Sequence, residues 1–120
     1  MTRKENSGVR DLTFNNWIRE KLPDSATGFM VSDIDFFMYN WKTKRCMFIE
    51  SKSHNSTMRE WQIRMYSMLT SWVKKGIDGE WTFYGYHVVT FENTSFNNGK
   101  VSLDGKEVTE NELTDFLSMT

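Results

Sequence analysis

Four charged residues are spaced so that chemistry could be built on them: Asp33 and Asp35 in SDIDF, and Glu50 and Lys52 in IESK. Residues two apart on an extended strand point to the same side. Asp33 and Asp35 therefore share one face, as do Glu50 and Lys52, and a hairpin across the WKTKR turn would gather three carboxylates and an ammonium at one end of a sheet. Carboxylates packed within a few ångströms repel one another. A divalent cation removes that repulsion. Hard oxygen ligands of this kind suit Mg²⁺, with Mn²⁺ as a substitute, and these ions keep several waters and take phosphate oxygens beside one or two carboxylates.

The elements that must hold these residues can be read from patterning. Phe14, Trp17 and Ile18 recur at helical spacing in Leu12 to Leu22, with Thr13 or Asn15 as a cap and Pro23 just beyond. A strand is expected from Gly28 to Tyr39, and its return partner in CMFIESK, Cys46 to Lys52, which is apolar first and charged at its end. The next helix opens at a capping box of Thr57 with Glu60, carries Trp61, Met65, Met68, Leu69, Trp72 and Val73 at helical spacing, and stops at Gly76. A long strand follows from Glu80 to Asn93, with Gly85 marking a bulge or a close approach. A small hairpin turns at Asp104 and Gly105, and Thr109 with Glu112 caps a last helix running to about Ser118. The fold class expected is α/β, a mixed central sheet flanked by helices in one domain spanning 1–120, with 1–10 flexible.

At this point the residues resemble a known superfamily. Asp35, fourteen intervening residues, then Glu50-Ser51-Lys52 is similar to the signature of the PD-(D/E)XK nucleases, and Gln62 and Tyr66, four apart on one helical face, fit the QxxxY motif of RecB-like and junction-resolvase-like members. Ser32-Asp33-Ile34-Asp35 resembles their GxxD element, with Ser32 for Gly and Ile34 for the naming proline. The likeness covers roughly Leu12 to Phe91 and implies a restriction-endonuclease-like domain. It further implies that Asp35 and Glu50 bind the metal with the Ser51 carbonyl, that Glu20 adds an acidic ligand from the first helix, and that Lys52 orients or activates the attacking water. Gln62 and Tyr66 would brace Lys52, bind the DNA backbone or hold the ligands in place. Metal plus lysine supply what phosphodiester hydrolysis needs: an activated water, charge neutralisation and help for the leaving oxygen. The implied activity is a Mg²⁺-dependent deoxyribonuclease, endo- or exonucleolytic, of phage or mobile-element character, acting on DNA as a homodimer. The rival reading is a nucleic-acid-binding or assembly module on the same fold, without cleavage.

The bulk numbers bound these readings. The 120 residues suit one domain, and 38% hydrophobic, 15% aromatic and 26% charged residues describe a globular chain. No apolar run approaches the roughly 18 residues of a membrane span, MTRKENSGVR lacks a secretion signal, and Cys46 has no partner for a disulfide, so a cytoplasmic setting without membrane contact is expected. Fifteen basic against sixteen acidic residues leave a net charge of -1, so any nucleic-acid contact must rest on local patches such as Lys42, Lys44, Arg45, Arg59, Arg64, Lys74 and Lys75. As single positions these read as solvated charges. His54 reads as a surface residue, His87 as a satisfied core histidine, and the segment from Phe96 onward carries no chemistry.

Overall fold

In the computed structural model the described residues are 12–120, so the 1–10 segment expected to be flexible lies outside them. The chain divides into two compact units at the Val31/Ser32 boundary, a division that the reading of one domain did not include.

The first unit contributes helix α1, Thr13–Lys21, and a single 3-10 turn at Ser25–Thr27. Neither Thr13 nor Asn15 caps α1; Leu12 occupies the cap position and donates no side chain to it. Leu22 leaves the helix in extended conformation, as a residue before proline must. Phe14 and Trp17 stack with ring centres 6.0 Å apart.

The second unit is a five-stranded mixed sheet in the order β1-β2-β3-β4-β5, with helices α2 and α3. Strand β1 is Phe36–Asn40, β2 Arg45–Lys52, α2 Glu60–Gly76, β3 Thr82–Phe91, β4 Val101–Leu103, β5 Lys106–Glu107 and α3 Glu110–Ser118. β2 and β3 run parallel with α2 as their crossover, while the other pairs are antiparallel. The α/β class expected from the sequence is the observed one.

Three boundaries differ from expectation, each for a local reason. β1 starts at Phe36 rather than near Gly28, because at Asp35 a side chain replaces the ladder: Asp35 Oδ2 accepts the Ser51 amide at 2.9 Å. The Thr57–Glu60 box does not form; α2 starts one residue after Arg59, whose amide donates to Gln62 Oε1 at 3.0 Å. Gly76 is the last helical residue rather than the one beyond it, and Ile77 closes the helix by donating to Val73. The Thr109–Glu112 box forms as read, and the β4–β5 turn places Asp104 at φ 51° and Gly105 at φ 85°, the left-handed pair of a two-residue hairpin loop.

Alternation along β2 separates two packing layers. Met47 and Ile49 join Val89, Val101, Leu113 and Met119 in an aliphatic core under α3. Cys46, Phe48 and Glu50 face the other way, where Phe48 meets Tyr66 of α2 with ring centres 6.1 Å apart. Gly85 is the expected bulge: Cys46 and Phe48 pair with Phe83 and Tyr86, so β3 has one residue more than β2 in that interval, and Gly85 takes φ 83°. The extra residue brings Tyr86 to the α2 side, stacked on Tyr66 at 5.1 Å and 15°. Among the described residues, no helix is long and apolar enough to cross a membrane.

Candidate active site

The site is built where β1 and β2 part company. Phe36 pairs with Ile49, and just before that strand begins Asp35 accepts the Ser51 amide with Oδ2 at 2.9 Å, which sets its carboxylate against β2 beside Glu50. Lys52 lies two residues beyond Glu50 and so on the same side. The first two turns of α2 then deliver Gln62 and Tyr66, four residues apart, onto this patch.

Glu50 is the hub. It is only 4% exposed, and such a carboxylate must be fully bonded to be tolerated. Its Oε2 accepts the Tyr66 hydroxyl at 2.7 Å, its Oε1 accepts Gln62 Nε2 at 3.2 Å, and Lys52 Nζ lies 3.6 Å from that same Oε1. Lys52 Nζ donates to Gln62 Oε1 at 3.0 Å. Gln62 is thereby fixed in sense. Its oxygen faces two donors, Lys52 and the Arg59 amide, and its nitrogen faces a carboxylate, so only one orientation of the amide satisfies all three partners.

Burial raises the Tyr66 phenol above its ordinary value of 10, and the Glu50 carboxylate to which it donates raises it further; a backbone hydrogen bond from Asp35 opposes this, and the Asp35 carboxylate adds to it. Tyr66 is thus a proton donor locked in place beneath Glu50. Asp35 itself is exposed, with Oδ2 held by the Ser51 amide. N–H and C=O of one extended residue point to the same edge, so the Ser51 carbonyl is presented on the Asp35 side of β2 as well.

All five residues expected to be catalytic are thus brought together in the second unit. Among the described residues no group of three His, Cys, Asp or Glu side chains is placed to hold a metal ion. Asp33 does not complete a triad of carboxylates, because residues 31–35 are not strand and the alternation invoked for Asp33 and Asp35 does not apply there. Glu20 is exposed on the last turn of α1, in the first unit, and is not one of the residues that the second unit assembles. Within the second unit the candidate donors are all oxygen, two carboxylates and one backbone carbonyl. That set fits Mg²⁺, which fills its other positions with waters and substrate oxygens.

The basic turn does not serve this site. Lys44 pairs with Glu80 at 3.2 Å, Arg45 donates to the Thr120 carbonyl at 2.7 Å, and Lys42 lies over the Trp41 ring. The turn is at the other end of β2, roughly 23 Å from Lys52 at about 3.3 Å per residue.

Two residues were not singled out from sequence. Phe48 is two positions before Glu50 in an apolar run, so alternation already put it on the chemical side; Tyr86 was hidden, because a bulge resets the parity of every residue after it. His87 is satisfied as expected, with Nδ1 2.6 Å from Asp104 Oδ2 and Nε2 2.8 Å from the Tyr84 carbonyl. Comparison with protein-family models, with curated proteins and with solved structures finds no significant match to this chain.

Proposed function

We propose that this chain is a metal-dependent nuclease of the PD-(D/E)XK kind that hydrolyses phosphodiester bonds in DNA. The observation that carries the reading is the closed hydrogen-bond network of Glu50, Lys52, Gln62 and Tyr66 beside Asp35. A solvated strand edge needs no such network, and it would not bury Glu50 or leave the Lys52 side chain only 17% exposed.

Asp35 and Glu50, with the Ser51 carbonyl, are the residues that would hold Mg²⁺, which when bound supplies positive charge to the phosphate and acidifies a water. Lys52 presents its ammonium beside this point, positioned by Gln62, where it orients the attacking water and neutralises charge developing on the phosphoryl oxygens. Tyr66 keeps its proton and uses it to fix one oxygen of Glu50, leaving the carboxylate unable to rotate away. Gln62 sets the distance between the buried negative and positive charges.

The test is cleavage of labelled single-stranded, duplex and four-way-junction DNA, with RNA alongside, in Mg²⁺, Mn²⁺ or EDTA, comparing wild type with Lys52→Ala and Asp35→Asn. Metal-dependent cutting that both substitutions reduce by 100-fold or more is expected. Tight binding of nucleic acid with no cutting under any metal would replace this reading with the non-catalytic module.

A further inference from the structure

The bulge at Gly85 decides which side of the sheet the later residues of β3 face, and one side chain spans it. His87 reaches back over the bulge with Nε2 2.8 Å from the Tyr84 carbonyl oxygen, while its Nδ1 lies 2.6 Å from Asp104 Oδ2 in the β4–β5 turn. Both partners are acceptors. A neutral imidazole has one N–H and one bare nitrogen, so it serves one of them and turns a lone pair toward the other. At 2.6 Å the gap between Nδ1 and Oδ2 calls for a proton between the two atoms. An ordinary carboxyl releases its proton at about pH 3.9 and an ordinary imidazole at about pH 6.5, so of the two groups the ring is the better keeper.

Asp104 is not free to turn away from a mismatch with the ring. Its Oδ1 accepts the Val88 amide at 2.8 Å, and its own amide donates to the Val88 carbonyl at 2.8 Å. The other neighbours of the ring are uncharged: Phe116 of α3 meets it edge-on with ring centres 4.9 Å apart, β2 presents Ile49 as its register partner, and the Tyr84 ring lies against Phe116. Among the described residues, Glu110, Glu112 and Asp115 of α3 and Lys106 of β5 form no ion pair with His87, which leaves Asp104 as its one charged partner. The His87 side chain is 21% exposed, so it exchanges protons with water while most of it is enclosed.

We propose that His87 and Asp104 form a proton-loaded clasp on the β3 bulge, closed while the imidazole carries both ring protons and opened when one of them leaves to water. The clasp acts across the sheet. The bulge places Tyr86 on the α2 side, stacked on Tyr66 at 5.1 Å, and Tyr66 in turn donates to Glu50 at 2.7 Å. With the proton gone, either the Tyr84 carbonyl or Asp104 loses its donor, the bulge is released, and Tyr86 is the residue carried with it. Rising pH thus loosens the support beneath Glu50 from the far side of the sheet. The clasp is independent of what the site catalyses, and its test involves no cleavage.

Asp104→Asn is the informative variant. Asn suits the left-handed turn position as readily as Asp, and its Oδ1 still accepts the Val88 amide. Its Nδ2 then donates to a bare Nδ1, so a neutral His87 keeps both contacts and needs no additional proton. The full chain, as wild type and as Asp104→Asn, is followed from about pH 6 to about pH 9 by long-range 1H–15N correlation of the histidine rings, urea unfolding and hydrogen exchange of the Tyr86 amide, with the exposed His54 as internal reference. Expected at about pH 7.5 are two protonated ring nitrogens on His87 in wild type and one in Asp104→Asn. Folded wild type then holds a proton that its unfolded chain has released, so its stability falls relative to Asp104→Asn as pH rises through the range. Exchange of the Tyr86 amide, corrected for its intrinsic pH dependence, should accelerate by about tenfold or more in wild type and stay flat in Asp104→Asn. A single protonated ring nitrogen on wild-type His87 at about pH 7.5 overturns the proposal. So does a stability difference that does not follow pH, and Tyr86 exchange equal in the two proteins overturns the link across the sheet.

Discussion

The two faces of one strand make the most informative comparison in this molecule. On β2, Met47 and Ile49 enter an apolar layer under α3, aliphatic at its centre and ringed by Tyr84, Phe91, Phe96 and Phe116, while Phe48 and Glu50, the alternate residues, enter a layer of rings and bonded charges under α2. The α3 side stabilises by excluding water and needs nothing of its members but shape. The α2 side surrounds a buried carboxylate, which is stabilising only as long as every partner stays in place. Substitutions on the first side should therefore act on stability alone, and on the second side on both stability and function.

The largest effect expected is from Glu50→Gln, which keeps the shape but removes a charge from the donor set. Cleavage should fall by 100-fold or more, and the unfolding midpoint should fall with it, because the amide turns an NH2 toward groups that donate to Glu50 and leaves Lys52 without its counter-charge. A loss of stability with cleavage by the folded fraction intact would erase the distinction between the two faces. Leu113→Ala on the α3 side should cost about 2–5 kcal/mol in urea unfolding, with nucleic-acid affinity of the folded fraction unaltered.

Tyr66→Phe should cost about 1–3 kcal/mol, because a buried carboxylate loses a donor. The phenol's folded pKa is raised above its ordinary value of 10, so the contribution of the protonated form is complete below pH 10 and is lost as pH rises through the higher, folded value. The stability difference between wild type and Tyr66→Phe should accordingly stay flat from neutrality to pH 10 and decline only above it. The smallest effect belongs to Glu112, exposed at the start of α3, whose carboxyl is lowered from 4.5 by hydrogen bonds from the Thr109 backbone and side chain. Its contribution is present above 4.5 and lost as pH falls below that value, so Glu112→Gln should matter at neutral pH and not in acid, read from the chemical shift of the Thr109 amide.

Much of this was legible in advance because it depends on period. Glu50 and Lys52 share a face through strand alternation, Gln62 and Tyr66 through helical spacing, and Gly85 and the Asp104-Gly105 turn through backbone freedom. What could not be read was whatever a tertiary partner decided. β1 begins at Phe36 because Asp35 caps the ladder with its side chain, and α2 begins at Glu60 because Gln62, engaged by Lys52 and Glu50, serves the helix start in place of Thr57. Asp33 illustrates the limit of period: outside a strand, two-residue spacing says nothing about facing. The division at Val31 also left no mark in composition.

Gln62 binds the beginning of α2 and the charges of the site into a single hydrogen-bonded unit, since one amide oxygen serves both the Arg59 backbone and Lys52. Fraying of the first helical turn and release of the lysine are then the same opening event. The hydrogen-exchange rate of the Arg59 amide becomes a clock for how often Lys52 and Glu50 come apart, and a ligand that engages those two residues should slow that clock without touching Arg59.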